Sequence, residues 1–312
     1  MSAPGAYRLE AGEPLPEAVA RIAQGRIDHA LDELRGKSDS TREEAVHEAR
    51  KDMKKLRALL RLVRGDLGER VYRRENACFR DTARELAGMR DADVMLATLG
   101  DLEERYGDLP GAAGRLRQAL VAHRFRTSAV GLKPAAKAAV ETLAEARARV
   151  DDWPLDSEGF EAFEDGLERS YRQGRGDWRA APKLPSAERI HEWRKRAKDL
   201  WYHSLLLQES WKPVMTALAD EAHELADRLG DDHDLAVLLA WAHEHESALD
   251  GRDPVLRGFD VIVESRRGEL QAEAFAYGAR LYADKPGVFV ARLERWWAAS
   301  ERAQALTPHP VP

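Results

Sequence analysis

Residues 47–56 read HEARKDMKKL and residues 191–200 read HEWRKRAKDL. At an offset of 144, His47, Glu48, Arg50, Lys51, Lys54 and Leu56 meet His191, Glu192, Arg194, Lys195, Lys198 and Leu200. With one copy given, a second His, an acid and three basic residues fall in register elsewhere with a chance on the order of 1%. About 40 residues after each copy comes an acidic pair, Asp91 and Asp93 in MRDADV, then Asp232 and Asp234 in GDDHDL. A duplicated order of features implies a duplicated architecture.

A helix advances about 100° per residue, so His47, Arg50, Lys51 and Lys54 fall in one stripe that Arg61 extends to a length of about 21 Å. Lys55 and Arg57 adjoin it, and Val46, Met53, Leu56, Leu60 and Val63 take the opposite side. In the second copy His191, Arg194, Lys195 and Lys198 align, Tyr202 continues the row, and Ile190, Trp193, Ala197, Leu200 and Leu207 form the face to be buried. Ordinary solvated faces intersperse Lys with Glu at i,i+4, whereas these rows hold cations and a histidine with no acid among them. That omission points to an external anion. Rows of guanidinium and ammonium groups suit repeated phosphates. Nucleic acid is the poorer fit, because Trp193 and Trp201 sit on or beside the packing side and no stacking platform is left.

Composition sets the frame. The chain has 312 residues, a third of them charged and 7% aromatic, a balance that favours helix over sheet. No signal peptide or membrane span is expected, and the single cysteine, Cys78, fits a reducing, cytoplasmic compartment. Net charge is −6 but unevenly spread: residues 47–64 carry +5 and residues 189–198 carry +4, leaving −15 for the rest. Apolar spacing predicts about twelve helices, near 14–35, 41–64, 69–89, 91–106, 111–129 and 133–150, then 157–173, 186–209, 211–229, 231–246, 253–282 and 286–303. DDWPLDSEG, residues 151–159, reads as a short connection, and TPHPVP as a non-helical tail.

These motifs resemble the CHAD domain family. Its pattern H-x-x-R-K-x-x-K-x-x-R stands at His47, Arg50, Lys51, Lys54 and Arg57, and its first four elements recur at His191, Arg194, Lys195 and Lys198, with Trp201 in place of the last Arg. MRDADV and LGDDHDL are similar to the family's acidic echoes, and RLYADKPGVF to its C-terminal segment. The resemblance implies an all-α fold over residues 7–303: two four-helix-bundle halves with extra helices, about 10–150 and 157–303, pseudo-twofold symmetric around a basic central channel; residues 304–312 are expected to form a disordered tail. It also implies binding of inorganic polyphosphate and association with polyphosphate granules. Family members often accompany triphosphate-tunnel (CYTH) enzymes, but no such β-rich pattern is found here. A free-standing binding module is expected, with no cofactor, no metal and no catalysis.

Two other readings compete. His233 and Asp234 form an HD pair, and His191, His203, His223, His243 and His245 are metal ligands in type, so a metal-dependent phosphohydrolase is the alternative, although H-E-x-x-H is absent. A purely structural helical scaffold would leave the duplicated rows unexplained. Arg115, Arg117, Arg124, Arg126, Arg172 and Arg175 could widen the basic surface, while HEH at 243–245 reads as exposed helix. Asp91, Asp93, Asp232 and Asp234 are expected to cap helices or to orient the basic rows. Protonation of His47 and His191 should strengthen binding below about pH 6.5.

Overall fold

The computed structural model describes residues 6–10, 12–86, 91–107, 109, 112–128, 132–183, 186–245 and 254–306. Among them there is no strand, and the architecture is all-α, as expected. The helices are α1 (Leu15–Leu34), α2 (Arg42–Leu62), α3 (Arg64–Leu67), α4 (Glu69–Glu85), α5 (Asp91–Tyr106), α6 (Ala112–Ser128), α7 (Leu132–Arg149), α8 (Glu161–Ala180), α9 (Ala187–Leu206), α10 (Lys212–Glu244), α11 (Pro254–Leu281) and α12 (Pro286–Leu306). No described helix is long and apolar enough to cross a membrane.

The main departure from the expected pattern is α10, which runs unbroken through the break placed at Gly230. A lone glycine in a helix costs only about 1 kcal/mol. Leu225, Ala226, Leu229, Leu235 and Leu238 are all buried around it, and burying each leucine contributes roughly 1.5–3 kcal/mol, so packing wins. The acids of GDDHDL therefore sit in mid-helix and cap nothing. Two smaller differences are the start of α8 at Glu161 and the continuation of α12 to Leu306, into the expected tail. Residues 307–312, with TPHPVP, lie outside the described residues.

Helices α1, α2, α4 and α7 pack in a ring, α1 on α2 and α7, and α4 on α2 and α7. Helix α9 lies against α8 and α10, and α10 continues on to α11. The main core does not divide between the repeats: Ile27, Met53 and Phe79 belong to the same buried cluster as Trp193, Leu225 and Phe289. A second cluster joins α5 and α6 to the C-terminal part of α10 and to α11, through Leu99, Leu116, Leu238 and Phe259. The 151–159 connection is fastened as well. Trp153 and Leu155 are buried, and the Asp66 carboxylate accepts hydrogen bonds from the Asp156 and Ser157 amides and, at 2.6 Å, from the Ser157 hydroxyl. Beside it α8 meets the end of α2 so closely that a Cβ on Gly166 would lie 2.0 Å from the Leu62 carbonyl oxygen.

Candidate functional site

Helix α2 starts with a capping box, in which the Thr41 side chain accepts from the Glu44 amide and the Glu44 carboxylate accepts from the Thr41 amide. Its buried stripe of Val46, Ala49, Met53, Leu56 and Leu60 leaves the opposite side for cations. Helix α9 starts at Ser186, whose side chain accepts from the Arg189 amide, and it buries Ile190, Trp193, Ala197 and Leu200. The two helices pack on each other. His203 of α9 donates from Nε2 to the Ala58 carbonyl of α2 at 3.0 Å, and Arg61 of α2 donates to the Asp199 carboxylate of α9 at 2.6 and 2.9 Å.

Between them lies a cleft of about 390 Å³. Arg50, Lys54, Arg57 and Arg61 line it from α2, and His191, Arg194, Lys195, Arg196, Lys198 and Tyr202 from α9. Val94 of α5 and His233, Asp234 and Val237 of α10 complete the wall. Eight cations thus face two carboxylates, Asp199 and Asp234, and Asp199 is already held by Arg61 and Arg196. Burial opposes ionisation of Asp199, but those two guanidiniums outweigh it and keep the carboxyl below its usual range. Arg57 shows the crowding: burial and then the charge of Arg61 pull it down to about 10, still protonated at neutral pH.

The sequence profile of the CHAD domain matches residues 21–243, about 70% of the chain. The chain belongs to the CHAD domain family. No curated protein matches it in sequence. The family match stops before RLYADKPGVF, yet that segment is packed firmly onto the CHAD domain: the Phe289 ring stacks on Tyr171 at 4.0 Å and the Tyr171 hydroxyl donates to the Leu281 carbonyl.

The CHAD pattern is split by the tertiary structure. Three residues expected in the site, His47, Lys51 and Lys55, lie outside the cleft lining. Lys51 donates to Glu48 at 2.9 Å, and Lys195, though in the lining, donates to Glu192 at 2.5 Å. The rows are therefore not free of acid, because the glutamate of each HE pair reaches the lysine one turn on. Lys55 is turned toward the chain's start, with Nζ 5.7 Å from the Tyr7 ring centre and Asp52 beside it. Burial holds its pKa below the ordinary lysine value.

The expected effect of His191 also changes. Burial, followed by the neighbouring His233, Lys195 and Arg194, lowers its pKa to about 4. Among these groups His191 is thus neutral near pH 6.5 and adds no charge to the cleft.

Arg196, Asp199 and His233 belong to the cleft and were not assigned to binding by sequence. The signal for the first two was present in RKRAKD, where an acid and a base three apart interrupt the row. Arg57, Arg61 and Arg196 also line a neighbouring cleft with Arg64, Asn76, Arg169, Asp177 and Glu192. Arg57 there donates to Asn76 at 3.0 Å.

The other arginines considered do not extend the cleft. Arg117 and Arg124 pair with Glu103 and Asp93, Arg172 pairs with Glu168, and Arg175 donates to the Tyr282 carbonyl. Asp93 thus serves α6 and not a basic row, and Asp232 is buried and bonded to Arg267 and Gln271 of α11. Apart from His191 and His233, the histidines of the hydrolase reading are engaged elsewhere. His203 is buried on Ala58, His223 pairs with Asp227, and His243 with Asp260. His245 is not simply exposed, since it stacks on Trp241 at 4.0 Å. Among the described residues no group of three or more His, Cys, Asp or Glu side chains is placed to hold a metal ion.

Proposed function

We propose that this CHAD domain binds inorganic polyphosphate in the cleft between α2 and α9, without chemistry, and that it gathers on polyphosphate granules in the cytoplasm. The observation that carries this is the convergence of eight cations, from two helices about 140 residues apart, on a cleft with two carboxylates. Polyphosphate binding is also what the family resemblance implies. Charge-assisted hydrogen bonds from guanidinium and ammonium groups are short and strong, and a linear polyanion would offset the repulsion from Arg61 that adds to burial in lowering Arg57. The one Phe, Tyr or Trp side chain in the lining, Tyr202, is only 3% exposed and offers no face for a base. That favours a polymer of bare phosphates over nucleic acid.

The test is titration with long-chain polyphosphate at several salt concentrations, with DNA as competitor. Binding should weaken steeply as salt rises, and excess DNA should not displace the polymer. Preferential binding of DNA would overturn the ligand. Phosphate release that needs a metal and is lost in His233→Ala would favour the hydrolase.

A further inference from the structure

Helices α9 and α10 bring two histidines together inside the cationic cleft. The rings of His191 and His233 lie 4.3 Å apart, centre to centre, and are tilted by 35°. Both line the cleft, and the Nδ1 atoms of both are buried with no hydrogen-bond partner. A buried ring nitrogen without a partner is costly unless it acquires one. The basic row of α9 includes His191 but gives His233 no part, and a pair of histidines among arginines and lysines is an odd choice if its only task is to stay neutral.

We propose that the His191–His233 pair is a proton-linked ligand of the bound phosphate chain, so that the cleft takes up about one proton from the solvent as it takes up the anion. This rests on the polyphosphate reading of the same cleft. The groups around the pair set the direction. From α9, Arg194 and Lys195 stand beside the rings and Glu192 is bonded to Lys195. From α10 come Asp232, committed to Arg267 and Gln271 of α11, and Asp234 in the lining. Arg50 and Lys54 line the cleft from α2, and α5 contributes the uncharged Val94. Burial comes first in lowering the pKa of both rings, and the nearby positive charges add to it. A phosphate chain reverses that field. It supplies negative charge to offset Arg194 and Lys195 and acceptor oxygens for an imidazolium. With the rings so close, the first proton opposes the second, and the pair titrates as a unit that takes one.

The internal phosphates of a long chain are strong acids with no titratable proton near neutrality. Proton uptake on binding therefore reports groups of the protein. Calorimetric titration of the full chain with long-chain sodium polyphosphate at about pH 6, in buffers of different ionisation enthalpy, should show uptake of about one proton per protein chain. Affinity should tighten by up to about tenfold per pH unit on acidification toward pH 5. The His191→Asn/His233→Asn variant should bind more weakly than the wild type at about pH 6, with uptake near zero and a flat pH profile. Imidazole NMR of the wild type should show His191 or His233 becoming cationic on binding, while His203, bonded to the Ala58 carbonyl inside the core, stays neutral and serves as the internal control. Binding without uptake, or equal uptake by the variant, would overturn the inference and leave the polyphosphate reading intact. No binding by the wild type would sink that reading, and this inference with it.

Discussion

The two copies of the basic phrase show how one pattern serves two environments. At the 144-residue offset Asp52 of α2 stands where α9 has Arg196, and Lys55 where α9 has Asp199. The charges are exchanged, and so are the partners. Buried Asp52 looks toward α1, where it meets Arg26 at 3.2 Å and His29 at 2.6 Å. Buried Asp199 looks across to α2 and holds Arg61 as well as its own Arg196. Burial raises the Asp52 carboxyl above its usual value despite His29 and Arg26, whereas the two guanidiniums outweigh burial at Asp199. One acid fastens a helix within the first repeat, and the other ties the repeats together at the floor of the cleft.

The harshest way to break this comparison is Asp199→Asn. It leaves two guanidiniums, themselves only 15% and 16% exposed, without their shared carboxylate. A loss of roughly 3 kcal/mol is expected in denaturant unfolding. Asp52→Asn should cost roughly 1 kcal/mol, because its partner His29 is 42% exposed and burial already resists the charge. Equal costs would mean that the acids are equivalent after all.

Next in size is the paired charge reversal Lys54→Glu/Lys198→Glu, one residue from each copy, both in the cleft lining. Polyphosphate affinity should fall by roughly 100-fold and the salt dependence should flatten by about 1.5 in the log–log slope. Fluorescent fusion protein should leave the granules in parallel.

A third expectation concerns the bond between the helices. Burial depresses His203 to about 4, below the ordinary histidine value. The unfolded chain therefore binds the extra proton between about pH 6.5 and 4, so stability is full above this window and is lost as pH falls through it. The contribution is at most about 3 kcal/mol. Stability curves against pH should show a shallower acid limb in His203→Gln than in the wild type.

The smallest effect separates the cleft from the row. Lys51→Glu, outside the lining and paired with Glu48, should change polyphosphate affinity less than about threefold, by long-range screening alone. A loss as large as that of the double reversal would put the whole stripe of α2 back in the site.

Much of this was legible in the sequence because it is local. Helical periodicity and the buried faces led by Met53 and Trp193 follow from the angular step of a helix and the cost of exposing apolar area. Gly230 misled for a non-local reason: a Cβ there would lie 3.0 Å from the Arg194 guanidinium, so the residue marks where α9 crowds α10, not a turn. His233 was read as half of an HD pair because its neighbour in the chain is Asp234. Its neighbour in space is His191.

By itself, then, the sequence determined that the chain is helical, that it carries two cationic faces and which side of each helix is buried. Those properties depend on residues three and four apart. Which cations share a cleft and which buried acid joins the repeats depend on how α2 crosses α9. Contacts between residues more than a hundred positions apart set that crossing, and no local pattern encodes their geometry.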